Sequence, residues 1–284
     1  MFTAFMRNPR SDSAPEIFTA LPEKLMQRLI LVSISVLAFT TYAGQASSLS
    51  SSIPQDRLLV RPRRIVIVRS ATLAKQFPNR KTATVSYPVV SGLSDRTVLR
   101  RIRSLLDFKA IFDYSLQEYR EDSWLSEFSY TVNYNRNFLF DITFTQYGQA
   151  AYPDDQSKHL LINLKDGRII KAADVFLKNK FGVLASLVDQ KLQAEIRQIA
   201  TRAKESSDLE VSDSQSIVEG LEQLRFGREN LDDFSVSNQG VTFLYDAGLP
   251  HVVKAFEPEG RYFFSYSELT PYLNRTGPLG QFVR

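Results

Sequence analysis

The feature that most constrains the fold is the alternation of apolar and polar residues between Glu127 and Tyr147. A period of two places the two sets of side chains on opposite faces of a β-strand. Residues 135–137 (Asn-Arg-Asn) interrupt the alternation and favour a turn. We therefore predict a β-hairpin with an apolar face and a hydroxyl-rich polar face. The apolar set is Phe128, Tyr130, Val132, Tyr134, Phe138, Phe140, Ile142 and Phe144, and the polar set is Ser129, Thr131, Asn133, Asp141, Thr143 and Thr145.

Further strands are predicted on both sides of this hairpin. Residues 65–68 are a β-branched run typical of a buried strand, and residues 82–90 alternate as a second strand. Asp166 and Gly167 form the pair favoured in tight hairpin turns and follow another strand at 159–164. The remaining predicted strands are residues 169–170, 234–237, 241–245 and 261–266.

Two main helices are predicted among these strands. Ser94 is expected to cap a helix whose apolar residues, from Leu99 to Leu106, share one face. Residues 181–202 form one long amphipathic helix, whereas residues 203–216 are a loop or a weakly helical insert. We therefore predict an α+β fold: an antiparallel sheet of hairpins, with a long mid-chain helix and a second helix packed on one face.

The N-terminal region predicts export. Residues 29–39 are apolar, Arg28 precedes them and small residues follow to Ala46, which is the pattern of a cleaved secretory signal. We predict an N-terminal extension at 1–23, a signal peptide at 24–46, and a periplasmic or secreted protein. Two alternatives remain open: translation starts at Met26, or residues 1–28 form a cytosolic tail on an uncleaved anchor, the only case in which the membrane is a partner.

The mature chain is predicted to contain one main domain. A disordered leader occupies residues 47–59, an α+β domain occupies residues 60–274, and a C-terminal tail occupies residues 275–284. The alternative is two subdomains that divide near residue 150.

The composition excludes several classes of chemistry. The chain has no cysteine, which excludes thiolate nucleophiles, CxxC redox sites and thiolate zinc sites. Its net charge of +4 gives weak attraction to polyanions at most. Two basic clusters, at residues 61–64 and 96–103, are interpreted as solvated surface, with anionic wall polymers or lipid headgroups as the alternative ligands. Nucleic acid is not a predicted partner, because an exported protein rarely meets it.

No catalytic, cofactor or metal site is predicted from a motif. The chain has two histidines, His159 and His251, and neither accompanies a GxSxG or phosphate-binding loop. Asp154 and Asp155 with His159 lack a recognised metal-ligand spacing, as does the acidic pair at residues 232–233. An enzyme of unrecognised type remains the alternative, and it requires Asp154, Asp155 and His251 to converge in space.

Several segments, in their order along the chain, carry a family resemblance. They are residues 87–93 (YPVVSGL), 134–139 (YNRNFL), 161–168 (LINLKDGR), 172–176 (AADVF), 240–243 (GVTF) and 266–273 (YSELTPYL). This order resembles the extracytoplasmic module of anti-sigma-V-type (RsiV-like) proteins, which also occurs beside peptidoglycan deacetylases. The resemblance implies a module that binds lysozyme and senses attack on the envelope. The family's cytosolic sigma-binding segment is not carried over, because residues 1–28 lack helical patterning.

The predicted function is an exported, non-enzymatic binding module of the cell envelope. Its ligand is expected to be a lysozyme-like protein, or peptidoglycan or another glycan. The predicted binding residues are the polar set of the hairpin together with Trp124, Tyr152 and His251. Tyr152 stands in a Gln-Ala-Ala-Tyr-Pro turn at residues 149–153, where the family has a Gly-Gly-Ala-His-Pro-like turn, so any role of that histidine is lost.

Overall fold

The alternating segment forms the centre of a six-stranded sheet in a computed structural model that describes residues 56–149, 153–205, 211–249 and 251–283. The predicted signal peptide, the N-terminal extension and Tyr152 lie outside the described residues. In chain order the strands are β1 (Leu59–Val68), β2 (Thr82–Ser91), β3 (Leu125–Arg136), β4 (Leu139–Gln149), β5 (Pro153–Asn163) and β6 (Arg168–Ile169). They keep that order across the sheet.

The α+β class is confirmed, but the prediction of a wholly antiparallel sheet is wrong at one pair. β2 and β3 run parallel where Thr84 and Val85 lie opposite Glu127 and Phe128. Parallel neighbours need a long crossover connection. The crossover from β2 to β3 contains three helices: α2 (Arg96–Leu105), α3 (Phe108–Phe112) and α4 (Leu116–Glu121). An earlier short helix, α1 (Ala71–Gln76), joins β1 to β2.

The crossover helices pack on one face of the sheet and bury a first hydrophobic core. Phe128, Phe140 and Phe144 of the central hairpin are fully buried there, together with Ile102 of α2. The predicted cap of α2 is wrong by one residue. The carboxylate of Asp95 accepts from the N–H groups of the first turn, where a negative charge also suits the helix dipole.

A second, three-stranded sheet lies later in the chain and encloses a second core. Its strands are β7 (Phe234–Val236), β8 (Gly240–Leu244) and β9 (Arg261–Ser265), and its helices are α5 (Ala172–Val175), α6 (Phe181–Glu205), α7 (Val211–Glu222) and α8 (Tyr266–Leu269). α6 confirms the predicted long helix and contributes Leu184, Leu192 and Ile199 to the core. α7 corrects the prediction of a loop or weak helix at 203–216. It is stabilised by burial of Val218 and Leu221, which lie beyond that polar stretch.

Both ends of the domain extend further than predicted. Leu58, assigned to a disordered leader, is buried in the first core, and β1 already begins at Leu59. Leu279, assigned to a tail, is fully buried in the second core, and Phe282 stacks on Tyr266 at 4.5 Å between ring centroids. Isolated apolar residues in polar segments gave no periodicity to detect. All described residues belong to one compact unit, and no helix among them is long and apolar enough to cross a membrane.

Candidate functional site

The candidate site is the part of the six-stranded sheet that faces away from the crossover helices, which we call the hydroxyl face. Its residues are Thr84, Glu127, Ser129, Thr131, Thr143, Thr145, Tyr147, Asp155 and Ser157, all exposed or half-buried. The register places Ser129, Thr145 and Ser157 directly opposite one another on three neighbouring strands. Thr131 and Thr143 form the next row. The predicted hydroxyl-rich face of the hairpin is therefore present and extends onto a third strand.

One row of the hydroxyl face combines an aromatic ring with two carboxylates. Tyr147 lies opposite Glu127 on one side and opposite Asp155 on the other, and the residue is 45% exposed. The same row continues through Thr84 to Val66 on the edge strand. An exposed aromatic surface flanked by hydrogen-bonding groups is suited to ligands that are apolar on one side and rich in hydroxyls at the rim.

Asp141, predicted as an exposed ligand-binding residue, is instead completely buried. One carboxylate oxygen accepts from the hydroxyl of Ser235 and from the N–H of Val236, both at 2.7 Å. The other accepts from Asn133 Nδ2 at 2.7 Å and lies 2.9 Å from His159 Nε2. The strand β7 covers this end of the face, so the residue serves an internal network and is not available to a ligand.

The network is positioned by a β-bulge that the alternation did not predict. The register of β3 against β4 shifts between Val132 and Tyr134, which leaves Asn133 as the extra residue. The shift moves Tyr134 to the opposite face from Phe128, where it joins the second core. Its predicted place on the apolar face with Phe128 is therefore wrong. Asn133 itself donates to both Asp141 and Thr143.

His159 is held between two carboxylates. Nε2 faces Asp141 and Nδ1 lies 2.9 Å from Asp233, while only 6% of the side chain is exposed. Burial alone would lower the pKa of His159, but the hydrogen bonds and charges of the two aspartates outweigh burial and raise the pKa to about 9. The imidazole is therefore protonated near neutral pH, and both ring nitrogens donate.

This arrangement differs from a nucleophilic Ser-His-Asp site. In such a site the histidine accepts the proton of the serine hydroxyl. Here the Ser235 hydroxyl donates to Asp141, and the protonated ring of His159 has no free lone pair. The network instead ties β4 and β5 of the large sheet to the start of β7 in the small sheet. A buried charge of this kind is stable only while every partner remains in place.

Trp124, predicted as a candidate stacking platform, lies away from the hydroxyl face. Its half-buried side chain packs against the first core. The ring lies directly over Gly148, where an added Cβ would come within 2.4 Å of it. Glycine at this position therefore provides the space that the indole occupies, and the residue closes the edge of the core.

The acidic residues considered for metal binding or catalysis have separate partners. Lys254 Nζ lies 3.2 Å from Asp154 and 2.8 Å from Asp155, whereas His159 belongs to the buried network. Asp232 accepts from the N–H of Ala172 at the start of α5. Asp154 and Asp155 are thus not grouped with His159. No three metal-ligating side chains converge among the described residues, and the side chain of His251 lies outside them.

The sequence reasoning missed Tyr147, Glu127 and Ser157. A signal for the first two was present, because they continue the period of two that placed Ser129 and Thr145 on the polar face. The sequence does not single out Tyr147, because aromatic residues in strands usually point into the core. Ser157 lies before the predicted strand at 159–164, whereas β5 begins six residues earlier, at Pro153.

Comparisons with known proteins identify the fold. No family model and no curated protein matches the chain. Among solved structures, a DUF3298 family member from Bacteroides fragilis is 13% identical, covers 80% of this chain and 97% of its own, and superposes with a TM-score of 0.51. A DUF3298 family protein from Pseudomonas aeruginosa is 12% identical, covers 78% of this chain and 96% of its own, and has a TM-score of 0.43. The chain's structural neighbours are thus DUF3298 proteins, and the likeness to the first shows a shared fold.

Proposed function

We propose that this protein is a recognition module of the cell envelope that binds a glycan chain on the hydroxyl face. The observation that carries the proposal is the row in which exposed Tyr147 lies between Glu127 and Asp155, beside two rows of hydroxyl side chains. Neighbouring strands are about 4.8 Å apart and alternate residues along a strand about 7 Å apart. The polar groups therefore form a regular array over several sugar units.

The chemistry of this surface fits a sugar better than a small apolar ligand. A sugar ring has C–H faces that pack on an aromatic ring, and its hydroxyls need both donors and acceptors around the rim. Tyr147 supplies the aromatic ring, and the carboxylates of Glu127 and Asp155 accept hydrogen bonds. The hydroxyls of Thr131 and Thr145 both donate and accept hydrogen bonds. Open grooves and faces of this type suit a polymer that passes across the protein.

The cellular setting of the proposal comes from the sequence. The apolar run at 29–39, followed by small residues, favours export. The order of segments from 87 to 273 supports a relationship to RsiV-like envelope proteins, which points to peptidoglycan as the first glycan to test. The absence of catalysis is part of the proposal, and the engagement of both nitrogens of His159 supports it.

The test is a sedimentation assay of the purified full chain with insoluble peptidoglycan, and with cellulose as a second polymer. We expect binding to peptidoglycan and about a tenfold loss of affinity in Tyr147→Ala, equivalent to about 1.4 kcal/mol. Phe263→Ala is the matched control, because Phe263 is a similarly exposed aromatic residue on β9 (43% against 45%). It should bind as the native protein does.

Three results would contradict the proposal. Equal binding by Tyr147→Ala and the native chain would remove the hydroxyl face from the interaction. Binding to a muramidase, with none to either polymer, would replace the glycan by a protein ligand. Release of soluble sugar fragments during the assay would show an enzyme.

A further inference from the structure

The free backbone edge of β1 is a second surface. Val66 of β1 ends the row that contains Tyr147, but the two residues lie on strands separated by β2 and β3. β1 is the first strand of the six-stranded sheet, and among the described strands it pairs with β2 alone. The opposite edge, β6, is only two residues long. β1 is ten residues long, so it presents the longer free backbone edge. A free edge of this length is a template for pairing with another extended chain.

The prolines in β1 and β2 fix which backbone groups point outward. Pro62 lies opposite Pro88, and neither has an N–H, so this pair is not hydrogen-bonded. In an antiparallel pair, hydrogen-bonded and non-hydrogen-bonded positions alternate. The N–H and C=O groups of Arg64, Val66 and Val68 therefore point away from β2. Among the described residues, none of these groups has a backbone or side-chain partner.

The side chains at this part of the edge are apolar and open. Residues 65–68 read Ile-Val-Ile-Val, a sequence of high β-propensity. Val66 is 54% exposed and Val68 63%, whereas Ile67 is buried in the first core. Natural sheets protect such edges with proline and charged residues. Here Pro62 and the arginines protect the first half of β1 and leave the second half unprotected.

The charge next to this edge indicates the kind of chain it accepts. Arg61, Arg63 and Arg64 are all exposed, and none forms an ion pair with another described residue. Arg103 of α2 adds a fourth positive charge nearby, since it donates to the carbonyl of Val90, which lies opposite Val60. A second copy of this chain would bring the same arginines towards one another. An acidic partner is attracted by them.

We propose that β1 accepts an extended, acidic segment of a partner protein as an additional strand beside Arg64–Val68. The backbone groups of Arg64, Val66 and Val68 supply the hydrogen bonds, and exposed Val66 and Val68 contact every second side chain of the docked segment. The arginines select acidic residues at its other positions. This binding mode needs no change in the sheet, because the edge is already extended.

The test uses the full chain and a short synthetic peptide in which valine and glutamate alternate, with a lysine-for-glutamate peptide as its control. Isothermal titration should show binding of the acidic peptide, and the affinity should fall as salt is raised from 50 to 500 mM. Val66→Pro removes one outward N–H and keeps the ladder to β2, since Pro62 already occupies an equivalent position. We expect this variant to retain its circular dichroism spectrum and lose at least about tenfold in affinity.

Further variants keep the proposal falsifiable if Val66→Pro fails to fold. Replacing Arg61, Arg63 and Arg64 together by glutamine should weaken binding of the acidic peptide and reduce its salt dependence. Val66→Ser should also weaken it, whereas Val183→Ser should not, because Val183 is equally exposed (52%) but lies on α6. Tyr147→Ala should leave peptide binding unchanged, which separates this surface from the glycan site.

Three outcomes would overturn the proposal. One is no binding of the acidic peptide at low salt. Another is equal binding of the acidic and basic peptides, or equal binding by Val66→Ser and Val183→Ser. The third is a concentration-dependent dimer in sedimentation velocity that Val66→Pro converts to a monomer, since that would make a second copy the occupant.

Discussion

The two ends of one sheet face differ in this protein: one end is buried beneath β7, and the other is open to solvent. Asp141 and Thr145 lie on the same strand and point to the same side, and both belong to one polar pattern in the sequence. Asp141 is fully buried beneath β7 and has four hydrogen-bonding partners, whereas Thr145 is half-buried and its hydroxyl lies 3.5 Å from that of Ser157. Alternation thus assigns a residue to a face, but it does not decide whether that face meets water or another part of the chain.

The buried end and the open end also differ in what their polar groups do. At the buried end, each carboxylate oxygen of Asp141 is engaged, and the charge of His159 is balanced on both sides. At the open end, the hydroxyls keep unused hydrogen-bonding capacity that water or a ligand can fill. The first end stabilises the join between the two sheets, and the second is available for recognition.

The largest expected effect is at the buried end. Asp141→Ala leaves the protonated His159 and the groups of Asn133, Ser235 and Val236 without their acceptor. Breaking a buried charged network of this kind costs about 3 to 5 kcal/mol of the free energy of unfolding. The measurement is urea denaturation, with Asp155→Ala as the control, because this exposed acid should cost less than about 1 kcal/mol. Equal losses in the two variants would contradict the contrast between the ends.

The pH dependence of stability should come mainly from His159. Its pKa is about 9 in the folded protein against about 6.5 when unfolded, so the folded state binds the proton more tightly. The resulting stability, on the order of 3 kcal/mol at most, is fully present below pH 6.5 and is lost as the pH rises to 9. Urea midpoints at pH 6, 7.5 and 9 should fall steadily in the native protein. His159→Gln should flatten this slope, and parallel profiles would show that other groups cause it.

The smallest effect on stability is expected at the open end. Thr145→Val removes a hydroxyl from the hydroxyl face while keeping the β-branched shape. Because this hydroxyl is not part of the buried network, the free energy of unfolding should change by less than about 0.5 kcal/mol. Urea denaturation checks this, and peptidoglycan sedimentation should show weaker binding by the same variant. A loss of stability above 1 kcal/mol would mean that the face has a structural role.

Local patterns predicted most of the elements of the fold. The central hairpin, the Asp166-Gly167 turn, the long helix α6 and the final strands follow from short-range periodicity and turn chemistry. The same patterns failed where a single residue breaks the period. The bulge at Asn133 reversed the face of Tyr134, and α7 was missed because its apolar residues become informative only when packed on α6.

The candidate site was predicted in part. Ser129, Thr131, Thr143 and Thr145 lie on the open face as expected, while Asp141 does not. For Trp124 the sequence left both an exposed platform and a buried edge position open, because no pattern shows that Gly148 leaves room for its ring. Tyr147 was recognisable from its register once an exposed aromatic residue was allowed on the polar face.

The sequence by itself determined the secondary structure of the hairpins and the chemical character of each strand face, because both depend on residues within a few positions of one another. Only the tertiary structure decided which half of the polar face is sealed. The contact that seals it joins Asp141 to Ser235, 94 residues away, and no local pattern encodes such a distance. The parallel pairing of β2 with β3 has the same origin, since it depends on how three helices carry the chain across the sheet.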